Sequence, residues 1–324
     1  MTSQSVIEGQ RGEGAAGGDS SDPSSFVDGA LVNGAPGVDV GDTLDLTYTP
    51  ARSRGWRIVR GLRPTVVLSW LVLLVAVLWV LFPGFFAPYD PIAGDAAAAL
   101  QPPSAAHLFG TDVTGRDMFS RMVFGAVNSL SGALIAVTVG LLVGTLLGVL
   151  AGALGGFVDD VVMRIVDVLL AIPGLLLALS IIIILGFGTV QAAIAIGVGS
   201  IASFARLTRA EVLRVRSSDY VEAAFGSGGS SAQVLIRHIL PNSLTPVLAL
   251  AALNFGGAIL AIATLGFLGY GAPPPTPEWG LMIAEGRNYV ATAWWLTSLP
   301  GLVVVVVVLS ANRLSAVAAQ RGRR

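Results

Sequence analysis

The sequence predicts an all-α membrane protein with six transmembrane helices and with both N- and C-termini cytoplasmic. Three observations carry this reading. Of 324 residues, 54% are hydrophobic and only 12% are charged, about half the charged share of a soluble domain. Six apolar runs, at about 65–86, 126–154, 165–186, 190–208, 243–268 and 294–314, reach or approach the roughly 20 residues that a helix needs to cross the hydrocarbon core. The arginines between these runs are segregated. With the N-terminus inside, Arg52, Arg54, Arg57, Arg60 and Arg63 precede the first run, Arg164 precedes the third, Arg206 lies at the inner end of the fourth, and Arg209, Arg214, Arg216 and Arg237 lie between the fourth and fifth. Arg313 at the inner end of the last run, and Arg321, Arg323 and Arg324 beyond it, lie on the same side. Only Arg116, Arg121 and Arg287 face outward, and Arg11 lies too far from any run to count. The positive-inside rule then sets the orientation, and the even number of spans returns the chain to the side where it began.

Taken in order, residues 1–50 hold eight acidic residues, nine glycines and a single arginine. A segment with so little apolar surface cannot offset its ordering entropy, and an acidic, disordered cytoplasmic tail is expected. It has neither the basic start nor the apolar centre of a signal peptide. Residues 51–125 follow as a basic flank, the first span and an outer segment. Residues 126–315 form a five-helix core, and 316–324 a basic C-terminal tail. The second run carries Gly140, Gly144, Gly148 and Gly152, four apart and therefore on one helix face. This smooth strip is read as helix packing, where another backbone approaches closely. The fourth run is rich in Ala, Gly and Ser, as suits a helix inside a bundle. Two Pro-rich outer loops, about 87–125 and 269–293, place Trp279, Tyr289, Trp294 and Trp295 as candidates for the membrane interface.

Composition also excludes chemistry. The chain has no cysteine, so disulfides, thiolate nucleophiles and thiolate metal sites are ruled out. It has no lysine either, since every basic residue is arginine; a Schiff-base lysine and a Walker A lysine are both absent. His107 and His238 are the two histidines. They fall on opposite sides of the membrane in this topology, outside the spans, and no cluster has metal-ligand spacing.

The inner loop at about 209–242 is the most informative stretch. Asp219 followed by Glu222 makes a capping-box-like start, and Gly226, Gly228 and Gly229 stop that helix. Ser230 followed by Gln233 makes a second capping box. The helix it opens carries Ala232, Leu235, Ile236, Ile239 and Leu240 on one stripe with Gln233 and Arg237 opposite, and Pro241 is expected to end it. A helix this short is marginal alone and needs a groove to cover its apolar stripe.

Glu222-Ala223-Ala224, Gly228 and His238-Ile239-Leu240-Pro241 resemble the EAA loop of permease subunits of bacterial ABC importers. The glycine follows the glutamate by six and the proline by nineteen, as in that family. His238 is usual in its dipeptide/oligopeptide branch; Gly226 and Gly229 are additional. His107–Arg121, Met163–Gly174 and Phe267–Arg287 resemble segments of the same branch, and the likeness to its C-type permeases covers about residues 57–315.

The resemblance implies a type I importer permease fold and a role for the loop: Glu222, Ala223, Ala224, Gly228, Leu235, His238, Ile239, Leu240 and Pro241 would couple the spans to a cytoplasmic ATPase. It implies further partners: a second, homologous permease, two ATPase subunits, an external substrate-binding protein and the lipid bilayer, with no nucleic acid. ATP and Mg would sit on the ATPases, leaving this chain without a cofactor, a metal or a catalytic residue. The substrate class would be dipeptides or longer peptides; related subunits carry nickel complexes, glutathione or haem.

Rival readings are weaker on the residues themselves. An ion-coupled transporter favours several intramembrane carboxylates and inverted repeats, and the span interiors hold only Asp167. Asp167 lies one turn from Arg164 and is read as an i,i+3 ion pair rather than a proton relay. An intramembrane serine protease needs a serine and a histidine at one depth, and neither histidine lies in a span. Pro173 should kink the third run. Arg116, Asp117 and Arg121 fit two roles equally, contact with a docked binding protein or anchoring of an interfacial helix.

Overall fold

A computed structural model describes residues 64–321. The acidic stretch, the basic flank Arg52–Arg63 and the last three residues lie outside that range. Every regular element described is helical. Helix α1 (Pro64–Leu81) has 18 residues, about 27 Å at 1.5 Å per residue, close to the hydrocarbon thickness. Pro83 cannot continue it, because it lacks an N–H and its ring meets the carbonyl of the preceding turn. A single turn, α2 (Pro83–Phe86), follows instead, so the expected run 65–86 is divided at Phe82.

Helix α3 (Met118–Leu154) has 37 residues and starts eight positions before the apolar run that announced it. Its first turn is capped by Asp117, whose carboxylate accepts the Ser120 N–H at 2.7 Å. Residues from Met118 to Ala126 are mostly buried under the outer segment, so apolarity alone underestimates the helix. The third run is two helices. Helices α4 (Gly156–Ala171) and α5 (Gly174–Leu185) meet at an angle of 98°. Pro173 at the joint makes this a break rather than the expected kink.

Helix α6 (Thr189–Arg216) extends eight residues past the expected end at 208. Helices α7 (Asp219–Gly226) and α8 (Ser231–Val234) follow, then a π-helical turn over Leu235–Ile239 that runs directly into α9 (Leu240–Phe267). Pro241 therefore does not end a helix. It sits in the first turn of α9, and the Leu240 N–H reaches back five residues to the Leu235 carbonyl. A π turn just before a proline accommodates the residue that cannot donate. Helix α10 (Trp279–Gly286) and helix α11 (Trp295–Arg321) complete the chain. Among the described residues, five helices are long and apolar enough to cross a membrane, and six spans result when the α4–α5 pair counts as one.

The glycine strip packs α3 against α6. A Cβ on Gly140 would lie 2.8 Å from Ser200 Cβ, on Gly144 2.5 Å from Phe204 Cβ, on Gly148 2.5 Å from the Ala205 carbonyl, and on Gly152 2.8 Å from Val212. Contacts advance along both helices together, so α3 and α6 run parallel, as alternate spans must. The core lies between α3, α6, α9 and α11, around Met122, Phe204, Ile259 and Ile262. Large apolar side chains such as Leu68, Leu146, Ile184 and Leu309 are exposed along the helices. In water that surface would aggregate; in a bilayer the lipid tails cover it.

Candidate coupling loop and outer collar

Helix α7 begins at Ser218, not through a capping box. The Ser218 carbonyl accepts the Val221 and Glu222 N–H groups, Asp219 occupies the first helical position, and no side chain caps the start. Two acidic residues in the first turn, Asp219 and Glu222, still complement the helix dipole. The far end is a Schellman motif. Gly229 N–H donates to the Ala224 carbonyl at 3.1 Å and Gly228 N–H to the Phe225 carbonyl at 2.9 Å. Gly228 has a φ of +89°, a left-handed conformation that other residues adopt only at a cost of about 1–2 kcal/mol. This is the physical reason for a glycine six residues after Glu222. The second expected cap is present: Ser230 Oγ accepts the Gln233 N–H at 3.4 Å.

The loop is two-faced. Val221, Val234 and Ile239 are buried with Val212 and Val215 of α6, and Leu235 and Ala224 pack partly against them with Val149 of α3. The expected stripe is thus displaced. Val234 joins Ile239 inside, while Ile236 is 65% exposed and Ala232 is exposed on the other side. The π turn changes the angular register, which a straight 3.6-residue helix does not reveal. Glu222, Ala223 and Pro241 are exposed, and Leu240 and His238 half-buried. Ala224, Gly228, Gly229, Gln233 and His238 line a polar hollow on the loop surface. Exposed within the loop, on α7, are Tyr220 and Phe225, which spacing alone did not single out. Only their exposure next to a charged helix start marks them.

Beneath the loop, charge ties α4 to α6. Arg209 holds Asp159 by donating through Nε and Nη2 to its two carboxylate oxygens, and Arg216 Nη1 donates to the Ala153 carbonyl at the end of α3. Asp167 pairs with Arg206 at 2.7 Å rather than with Arg164. Arg164 is the nearer in sequence, but the packing of α4 on α6 brings Arg206 alongside.

At the opposite end, Arg116, Asp117 and Arg121 are all buried, which places them in an internal network rather than on a docking surface. Arg121, fully buried, donates to Glu285 at 2.9 Å and to the carbonyls of Pro91 and Pro275 at 3.3 Å. Arg116 pairs with Asp112 at 2.6 Å. Burial works against the Asp112 charge, but N–H donors from Arg116 and Thr114, the Thr114 hydroxyl and the Arg116 charge together hold its carboxyl below the usual range. Asp117 also meets His107 Nδ1 at 3.0 Å. Trp279 and Trp295 are buried too, not interfacial. Trp279 Nε1 donates to the Met122 carbonyl at 3.0 Å and Trp295 Nε1 to the Thr111 carbonyl at 3.2 Å.

Sequence reasoning passed over Glu278. It is fully buried, caps α10 by accepting the Gly280 and Leu281 N–H groups at 2.9 and 2.8 Å, and accepts from Ser129 Oγ at 3.2 Å. Burial pushes its carboxyl up, against these three donors. A Cβ on Gly266 of α9 would lie 1.9 Å from its Oε2. One carboxyl thus joins α10, α3 and α9.

Residues 144–324, including the whole candidate coupling loop, match the family described as the binding-protein-dependent transport system inner membrane component. The chain belongs to this family. It is 42% identical over 249 residues to a protein named probable D,D-dipeptide transport system permease protein DdpC from Escherichia coli strain K12, covering 77% of this chain and 84% of the relative. It is 45% identical over 249 residues to the dipeptide transport system permease protein DppC of the same strain, covering 75% and 83%. Among solved structures, it resembles a chain of the MetNI methionine ABC transporter in inward-facing form, with a TM-score of 0.50 and 19% identity over 62% of this chain and 97% of that one. That likeness is one of fold. As a family member the chain is a permease subunit of an ABC importer and a multi-pass protein of the cytoplasmic membrane. Family membership implies ATPase and substrate-binding partners and a non-catalytic role.

Proposed function

We propose that this chain carries peptides across the cytoplasmic membrane as one of two homologous permeases, coupled to a pair of ATPases inside and a binding protein outside. The observation that carries the reading is the loop Ser218–Leu240. It is seated on α6 by an apolar cluster, hinged at Gly228, and continuous through its π turn with α9. A helix exposed on one face and fused to a span at its end transmits rigid-body motion to that span. Glu222, Phe225 and Ile236 present the surface for an ATPase groove. The arginine distribution supports a cytoplasmic location for this loop and both termini.

ATP binding and hydrolysis belong to the partners; on this chain no bond is made or broken. Closure of the ATPases would move the coupling loops, separate the spans at the outer face and expose a path between the two permeases. The names of the relatives at 42% and 45% identity favour dipeptides as the substrate class. Two measurements test this together. Mass spectrometry of the ligand bound to the cognate binding protein should return peptides, and disabling the co-purifying ATPase should abolish their uptake. A nickel chelate, glutathione or haem in the binding protein would replace the substrate; uptake that survives loss of the ATPase would overturn the class.

A further inference from the structure

Arginines at the cytoplasmic side are handled in two different ways. On α6 they have partners within the chain. Arg206 pairs with Asp167, Arg209 with Asp159 and Arg214 with Glu211, and Arg216 donates to the Gly152 and Ala153 carbonyls near the end of α3. The neighbouring helices α1 and α11 differ. No aspartate or glutamate occurs between Asp45 and Asp90, or after Glu285. Within those acid-free stretches Arg57, Arg60 and Arg63 lead into α1, Arg313 and Arg321 belong to α11, and Arg323 and Arg324 follow. Arg63 is bonded to Pro64, the first residue of α1, and chain length alone keeps Arg60 within roughly 15 Å of it.

Arg313 stands where the two helices meet. It is half-buried, and its Nη2 donates to Thr65 Oγ1 of α1 at 3.4 Å. Among the described residues no carboxylate meets its guanidinium, whose Nε is also without a hydrogen-bond partner. A hydroxyl neutralises no charge, and a cation partly withdrawn from water calls for an anion. Its depth is that of lipid phosphates. Arg313 lies about 27 Å along α11 from Trp295 at the outer end, close to the thickness of the hydrocarbon core. Below the polar pair the wall turns apolar. Thr65 shares a helix face with Leu68 and Leu71, which are 61% and 58% exposed, and Trp70 beside them is exposed too. The notch therefore offers a cation and a hydroxyl at the membrane boundary, with an open apolar stripe directly beneath.

We infer that the inner ends of α1 and α11 form a site for an anionic phospholipid, with its phosphate on Arg313 and Thr65 and an acyl chain along Leu68 and Leu71. A guanidinium fork matches two phosphate oxygens at once. Thr65 Oγ1 accepts from Arg313 and keeps its own proton to donate to the same phosphate. The other arginines of this acid-free region attract negatively charged headgroups over a longer range, each by about as much as one charge at a membrane surface allows. A zwitterionic lipid brings its own cation to the headgroup, so those arginines gain little from it. The site depends on insertion in the membrane and on no substrate, and it stands apart from the peptide-import reading.

The test uses the complete transporter, purified in mild detergent and washed free of lipid, then titrated with phosphatidylglycerol, with phosphatidylcholine of the same chains, or with inorganic phosphate. Bound lipid is read by native mass spectrometry and stability by thermal unfolding. Phosphatidylglycerol should be retained in preference to phosphatidylcholine and should raise Tm, whereas inorganic phosphate should not. Arg313→Gln should weaken retention by about fivefold or more, the worth of one arginine at a charged surface, and Arg313→Lys should recover part of it. A photoreactive phosphatidylglycerol added to the wild type makes the test independent of any variant's folding: it should crosslink within the first two turns of α1 or the last three of α11. Equal retention of the two lipids would overturn the site, as would retention unchanged in Arg313→Gln or crosslinks confined to other helices. A rise in Tm from inorganic phosphate equal to that from phosphatidylglycerol would overturn the lipid as occupant.

Discussion

Gly228 and Glu278 show how single positions carry the design. The +89° φ at Gly228 turns the chain between α7 and α8. Gly228→Asp should therefore leave the protein inserted, because the spans are untouched, but abolish uptake; uptake at the wild-type level in membranes containing normal amounts of the variant would contradict the hinge. At Glu278 the raised pKa fixes the sign of a pH effect. The stability tied to its protonated form is complete below the ordinary carboxylate range and is lost as pH rises through its folded pKa. Glu278→Gln removes the charge and keeps one oxygen acceptor, for either Gly280 or Leu281, because these two N–H groups use different carboxylate oxygens. It should flatten the pH dependence of thermal unfolding in detergent above the carboxylate range, with a loss of Tm at neutral pH smaller than that of Glu278→Ala. Glu278→Ala should instead cost about 1–3 kcal/mol by orphaning two buried N–H groups. The hinge glycine was legible from its spacing to Glu222. The buried glutamate was not, because in sequence Pro277-Glu278-Trp279 is an ordinary loop, and only the fold brings Ser129 and Gly266 to it.

Among the elements, the contact of α3 with α6 is the most exacting. The Gly144 Cβ position lies 2.5 Å from Phe204 Cβ and 2.6 Å from the Ile201 carbonyl. Gly144→Leu should force the helices apart and lower stability by about 1–3 kcal/mol or more. Gly301→Ala in α11, where nothing lies within 4 Å, should raise stability by roughly 0.5–1 kcal/mol through helix propensity; comparable melting of the two variants would refute the contact. The ion pair between Asp159 and Arg209 joins α4 to α6. Either Asp159→Arg or Arg209→Asp alone should impair uptake, and the exchanged double variant should recover part of it, with a coupling of about 0.5–3 kcal/mol. The four-residue glycine period announced the first of these contacts. A neighbouring α4–α6 pair, Asp167 with Arg206, was misread as local, because sequence spacing favours Arg164 for Asp167 and cannot see α6 alongside. Element ends were misjudged for a related reason. Apolar runs mark lipid-facing length, whereas α3 begins under a polar outer collar and α8 reaches α9 through a π turn.

For the molecule as a whole, an apolar composition, six runs and a segregated set of arginines were enough to predict a membrane bundle, and the family resemblance pointed to its candidate coupling loop. What lay beyond the sequence was the side of each element that faces its neighbours: Ile236 outward and Val234 inward. The account's central claim is mechanical, that Ser230–Leu240, beyond the Gly228 hinge, is a rigid peg engaging an ATPase at the cytoplasmic face. Because the chain has no cysteine, Ile236→Cys provides a single reactive point on the exposed side of that peg. In intact cells it should resist a membrane-impermeant thiol reagent added from outside, and in the assembled complex a short bifunctional reagent should join it to the ATPase subunit. Labelling from outside the cell, or a complex in which that position crosslinks to no ATPase, would contradict the account.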